Sequence, residues 1–213
     1  MIFSKTFRLL AAIAAVVSMG VASKAIAGCQ PQAAAQCEGS RLVSVDWRNA
    51  QLANGNFRNA DLENANLSGV NLKGADLRGA KLKFARLEGS DLTGANLEGA
   101  DLRWANLERS SLVGARFAMA NLARADLEEA DMSSAVMTGA NLTRADLINT
   151  DLFQADLRQA KLEGAYMNYA NLKQANLSGA NILRIRLFGT RLNETTWIDG
   201  RICRAPSSIS VCR

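Results

Sequence analysis

Histidine is absent from this chain, proline occurs twice, and no G-x-S-x-G segment appears. Without imidazole there is no ordinary general base, no serine–histidine pair and no nitrogen ligand of the commonest metal-binding kind. Cysteine is missing from the long middle: Cys29 and Cys37 precede it, and Cys203 and Cys212 close the chain. Pro31 and Pro206 also lie near the two ends. Charge of one sign is lacking too, since 25 Lys and Arg stand against 20 Asp and Glu. Asp and Glu are plentiful, but catalytic carboxylates need a concave, water-excluding site, and a convex, pocketless surface is expected here. The reading is of a protein that is no enzyme, with no catalytic residue, no metal and no cofactor.

What is present is a repeat. Cut into fives, residues 40–204 read SRLVS VDWRN AQLAN GNFRN ADLEN and so on to GRICR. The centres recur from Leu42 to Ile202, giving 33 units with 24 Leu, two Phe, three Met, two Ile and two Trp. Two residues before each centre stands a small residue, Ala in 22 of the 33 units. Between them lies a polar residue, most often Asn or Asp, as at Asp61, Asn66, Asn71 and Asp76.

On an α-helix five residues advance about 500°, so these leucines would spiral round every face. On one long strand each five-residue step would flip the centre to the opposite face. Within one unit the small residue and the centre are two apart and point the same way. The chain must then turn before the next pair, and Gly, Asn or Ser often follows a centre by two (Gly69, Gly74, Gly79), where a turn belongs. The solution is a solenoid with one side per unit and an interior of small residues and leucine.

The A-[DN]-L-x-x pattern, as in Ala60-Asp61-Leu62 and Ala140-Asn141-Leu142, closely resembles the pentapeptide repeat proteins, of an exported bacterial type. The resemblance implies an all-β fold, a right-handed quadrilateral β-helix with four units per coil. At that count the repeat makes roughly eight coils, a rod about 40 Å long at ~4.8 Å per strand spacing.

Residues 1–27 read as a cleaved signal peptide: Lys5 and Arg8, an apolar stretch from Leu9 to Ala22, and Ala25-Ile26-Ala27 as an A-x-A site. The stretch is too short for a comfortable membrane span, so none is expected after cleavage. A competing reading takes Ile26-Ala27-Gly28-Cys29 as a lipoprotein cleavage box with a lipid anchor at Cys29. Removing the signal lowers the formal charge from +5 to +2. Residues 28–183 then carry 16 basic and 18 acidic groups, and residues 184–213 six Arg against Glu194 and Asp199.

Export favours an oxidising compartment, and the cysteines fall locally at each end, which predicts Cys29–Cys37 and Cys203–Cys212. A lipidated Cys29 would leave Cys37 without a local partner. The expected organisation is a cap at 28–39 with its disulfide, the repeat at 40–204, and a disulfide tail at 205–213. Trp47, Phe57 and Trp197 are expected to plug the terminal coils, where a solenoid exposes its core and an unpaired edge. The closing segment Trp197 to Cys203, ending at Cys212, also resembles that of exported pentapeptide repeat proteins.

Residues twenty apart stack into columns under the implied coil. One reads Phe84, Trp104, Arg124, Arg144, Gly164, Arg184, Arg204, and its first four residues are the candidate surface for an aromatic or anionic ligand or a partner. Against this stands the blander account, in which Phe84 and Trp104 only shield one another under Arg124. A column of Glu88, Glu108 and Glu128 sets like charges side by side. Another, Arg41, Asp61, Lys81, Asp101, alternates in sign and reads as a stabilising ladder. Tyr166, Tyr169, Phe153 and Phe188 gather toward the C-terminal coils as a dimer or partner surface.

Three function classes follow. The first is an exported scaffold or binding protein that presents rigid faces to an unknown protein or envelope component, in the periplasm, or in the thylakoid lumen if the host is photosynthetic. It is expected to bind no nucleic acid, and a homodimer would form through an end coil or the C-terminal aromatic patch. The second, implied by the family, is a DNA-mimic that binds a topoisomerase; the export signal and the near-neutral charge count against it. The third is an enzyme, for which no site is found.

Overall fold

The structure, a computed structural model, describes residues 29–203 and Cys212. The export signal, its cleavage site, Pro206 and Arg204 lie outside the described residues. From Gln36 to Thr196, parallel bridges join each outward polar residue to the one twenty positions on, as in Asp61↔Lys81 and Lys81↔Asp101. Twenty residues at five per unit make four sides to a turn. Among the described residues no bridge lengthens into a strand and no helix forms. The molecule is a solenoid of single bridges and corners.

The backbone accounting explains the motif. In the unit 60–64, Asp61 N donates to the preceding turn at Ser40 O (2.9 Å), Leu62 N to the following turn at Lys81 O (2.8 Å), and Asn64 N to Lys83 O (3.0 Å). Ala65 N closes the corner on Leu62 O at 3.0 Å. One N–H per unit is left over, the residue after the centre. Where Asn or Asp precedes the centre, its side chain is the acceptor: Lys73 N donates to Asn71 Oδ1 at 3.1 Å, and Thr93 N to Asp91 Oδ1 at 2.9 Å. An unpaired backbone donor is costly, and Asn and Asp are the residues whose side chains close such a turn.

Every fifth residue from Ala34 to Glu194 has φ between 55° and 71°. This left-handed conformation costs a non-glycine residue roughly 1–2 kcal/mol, least for Gly and Asn, which accounts for their frequency at the corner.

The interior is continuous. Leu102, Leu122 and their equivalents are fully buried, as are the alanines two residues before them. Where Ser or Thr replaces Ala, its hydroxyl finds a carbonyl: Ser90 Oγ donates to Leu87 O, and Thr150 Oγ1 to Leu127 O at 2.9 Å. Phe57 is fully buried, Trp47 is half-buried and edge-on to it at 6.4 Å, and Trp197 is buried. Phe117 shows that a ring also fits the middle of the stack.

The ends differ from the expected boundaries. The register continues one unit upstream of Ser40: Ala35 and Cys37 are buried in the small and central positions, and Gln36 bridges Asn56. Cys29 pairs with Cys37, and both sulfur-bearing residues are buried against the first turn. A sulfur in that bond is not free to carry a thioether-linked lipid. At the other end Ile202 keeps the five-residue spacing but is not a centre. Gly200, with φ 83°, reverses the chain, Ile202 bridges Thr196 antiparallel, and its side chain is 62% exposed. The returning strand gives acceptors to Glu194 N and Trp197 N and is pinned by Cys203–Cys212.

Candidate functional site

Each side presents three outward residues per turn: the one before the centre, the one after it, and the corner. On the side whose outward residues run from 41–44 to 181–184, eight basic residues face four acidic ones, a net +4. The next side, from 46–49 to 186–189, carries four basic and seven acidic residues, a net −3. The other two sides are close to neutral, at −1 and 0.

The basic side holds the column of Phe84, Trp104, Arg124 and Arg144. Phe84 and Trp104 occupy successive corners with φ of 59° and 56°, so two bulky rings sit where Gly or Asn costs less. They stack at 5.3 Å between centroids with 27° between planes, and are 42% and 41% exposed. Lys83 Nζ stands over both rings, 4.7 Å from Phe84 and 5.5 Å from Trp104. The guanidinium carbons of Arg103 and Arg124 lie 5.9 and 5.8 Å from the Trp104 ring. Two rings are therefore framed by three cations, an arrangement that draws cations to ring faces and leaves their outward donors available.

The cations differ in what else they touch. Arg103 is held by both oxygens of Asp101, at 2.8 and 2.6 Å, and that hydrogen bond draws the Asp101 carboxyl below its usual range. Lys83 lies 4.0 Å from Glu63. Arg124, Arg144 and Arg184 form no ion pair among the described residues. Gly164 leaves a gap in the line between Arg144 and Arg184.

The other predicted columns fare unevenly. Arg41, Asp61, Lys81 and Asp101 do sit one above another, but no ion pair among the described residues joins them. Pairing runs along the unit instead, as in Asp101–Arg103, Asp76–Arg78 and Asp156–Arg158. Both partners of such a pair leave the same unit on the same side, two residues apart. Glu88 is paired with Arg86 at 3.7 Å and Glu108 with Arg109 at 2.9 Å, the latter also bonded to Glu129 at 2.7 Å, while Glu128 forms no ion pair among the described residues. Burial, then Asp146, Asp126, Glu129 and Glu108, push the Glu128 carboxyl up.

Of the C-terminal aromatics, Tyr169 meets Phe188 edge-on at 5.5 Å, and Arg186 lies 4.6 Å from the Tyr166 ring. Phe153 is half-buried on the following side, apart from this cluster. Leu183 and Phe188 are exposed on the last turn. Among the described residues no helix is long and apolar enough to cross a membrane, and no group of His, Cys, Asp or Glu is placed to hold a metal ion.

A bridge every twenty residues, an Ala–Leu interior and an Asx acceptor in most units define a repeat solenoid built from pentapeptides. The family model for pentapeptide repeats matches in eight copies, over residues 33–69, 56–94, 71–109, 85–118, 120–159 and 155–193. The chain belongs to the pentapeptide repeat family. It is 31% identical to HetL, a pentapeptide repeat protein involved in heterocyst differentiation regulation in the cyanobacterium Nostoc sp. strain PCC 7120. That similarity covers 78% of this chain and 86% of HetL, with a TM-score of 0.44. Full-length QnrB1, a plasmid-mediated fluoroquinolone resistance protein, is 16% identical over 72% of this chain and 91% of its own, with a TM-score of 0.38. A pentapeptide repeat protein of the Arabidopsis thaliana thylakoid lumen is 24% identical over 58% of this chain and 65% of its own, with a TM-score of 0.19. None of the curated proteins matches.

Proposed function

We propose that this protein is a non-enzymatic, exported scaffold of the cell envelope, built as a right-handed quadrilateral β-helix, that binds a macromolecular partner through Phe84, Trp104, Arg124 and Arg144. The observation that carries this reading is the exposed Phe84–Trp104 stack beside a line of arginines with no acidic partner among the described residues, on a side of net +4. Bulky rings at left-handed corners stand where a cheaper residue would serve the fold. The partner surface that fits is acidic, because arginines with unspent donors gain most from carboxylates. Sides of +4, −3, −1 and 0 lack the uniform negative field that mimicry of DNA requires.

The test is photocrosslinking in envelope preparations, with the probe placed at Ala123 beside the ridge. A discrete adduct that disappears in Trp104→Asn and in Arg124→Gln/Arg144→Gln, with the melting curve preserved, supports the reading. An adduct unchanged in all these variants, or none, removes the ridge from it.

A further inference from the structure

The surface is not pocketless. A depression of about 440 Å³ opens on the acidic side, near the N-terminal turns, around Gly69 and Gly89. The corner column there reads Asn49, Gly69, Gly89, Arg109; the Asn49 side chain lies over Gly69, where a Cβ would collide with its Oδ1. Above Gly89 the space is empty: a Cβ built on it meets nothing within 4 Å. Three arginines edge this notch, Arg48, Arg86 and Arg109, against a single lining carboxylate, Glu88. The lining is net +2 on a side whose net charge is −3, while Asp46, Glu108 and Glu129 stand just outside it against the same arginines.

The arginines are set before any ligand arrives. Asp46 holds the Nε and Nη2 groups of Arg48 at 2.9 Å each. Glu129 holds Arg109 Nε at 2.7 Å, and Glu108 lies 2.9 Å from its Nη2. Each keeps further donors for a ligand. Arg86, between them, is ion-paired with Glu88 at 3.7 Å, beyond hydrogen-bonding range, so among the described residues its N–H donors make no hydrogen bond to that carboxylate. Planar guanidinium groups at such a rim match phosphate and carboxylate oxygens. The volume falls within the range of small-molecule sites, roughly 300–1,000 Å³.

We infer that the notch at Gly69 and Gly89 binds a small organic anion of monosaccharide size, carrying a phosphate or carboxylate group that Arg86 grips while Arg48 and Arg109 flank it. The site is independent of the aromatic ridge, which lies on the neighbouring side. Its openness makes binding depend on the charged group, and salt weakens it.

The test uses the whole mature protein with two probes, glucose 6-phosphate and succinate, read by titration calorimetry at low salt. Arg86→Gln removes the central guanidinium. Gly89→Asn fills the empty corner with a residue the repeat already uses at φ near 58°, as at Asn49 and Asn54, so the fold is kept. Gly94→Asn makes the same change at a corner outside the notch and serves as control. The expected result is binding of at least one probe, weakened about tenfold or more by either notch variant and unaffected by the control. The tighter probe tells phosphate from carboxylate. No heat of binding with either probe, or binding indifferent to Arg86→Gln and Gly89→Asn, overturns the inference.

Discussion

The Oδ1 atom of Asp91 stands 2.9 Å from the backbone nitrogen of Thr93 and accepts its hydrogen bond. The same contact recurs in unit after unit, from Asn56 with Arg58 to Asn181 with Leu183. It supplies the one acceptor that neither the neighbouring turns nor the corner can offer.

Replacing Asp91 by Ala leaves the Thr93 N–H without that acceptor, and the expected loss is about 1–2 kcal/mol. Asp91→Asn keeps an oxygen in the same place and is expected to stay close to wild type. Urea denaturation of the two variants checks this: equal losses would show that the oxygen is not what the position supplies.

Trp104→Asn gives up a ring stack, about 0.5–1.5 kcal/mol, but relieves a corner strain of similar size. The two nearly cancel, so the melting temperature should barely move. Gly94→Val has open space for its side chain yet should destabilise by roughly 1–2 kcal/mol, because φ is +67° there. Thermal melts that rank Trp104→Asn as the more damaging change would contradict the corner argument.

The carboxyls of Asp76, Asp101 and Asp156 lie below their usual range, chiefly through hydrogen bonds from Arg78, Arg103 and Arg158. A depressed folded-state value means that the unfolded chain takes up protons first. These groups therefore add stability above about pH 4, and lose it as pH falls through their lower folded values. Glu128 has the opposite sign: its raised value costs stability above it, and the cost fades as pH falls through it. Glu128→Gln should raise the melting temperature at neutral pH and converge with wild type in acid. An Arg78→Gln/Arg103→Gln/Arg158→Gln variant should show a flatter acid decline, and a parallel curve would refute the assignment.

Reducing both disulfides should loosen the ends first, since each closes a short loop against a terminal turn. The typical worth of such a bond is about 2–4 kcal/mol, with short loops near the lower figure. Amide exchange should quicken around Trp47 and Trp197 while residues such as Leu112 and Leu122 keep their protection. Uniform quickening along the chain would mean that the solenoid unfolds as one unit.

Much of this was legible in the sequence. The period of five fixed which side chains go inside, because only one geometry keeps a small residue and a leucine facing the axis. The preference for Asn and Asp before the centre is plain in the sequence, but its reason is not, since a side-chain acceptor for a leftover N–H appears only once every backbone donor is counted. The first unit was hidden because Cys37, not leucine, fills its centre. Ile202 misled for the converse reason: the spacing runs on past Gly200, where the backbone reverses. The column order of the ridge was readable, but not that Arg103 is held by Asp101 while Arg124 and Arg144 form no ion pair among the described residues. The notch was signalled by Gly69 and Gly89 alone, and glycine at a corner also has the plainer reading of conformational ease.

Because each storey leans only on the ones directly above and below, length and facing are separately editable. Excising residues 120–139 would lower the tower by one floor and drop Arg144 into the place of Arg124, with every vertical alignment intact. Excising five residues instead would swing everything downstream onto the adjoining wall, taking Arg144 and Arg184 away from Phe84 and Trp104. Insertions and deletions in such a chain are compass settings as much as size changes, and only those in multiples of twenty keep north where it was.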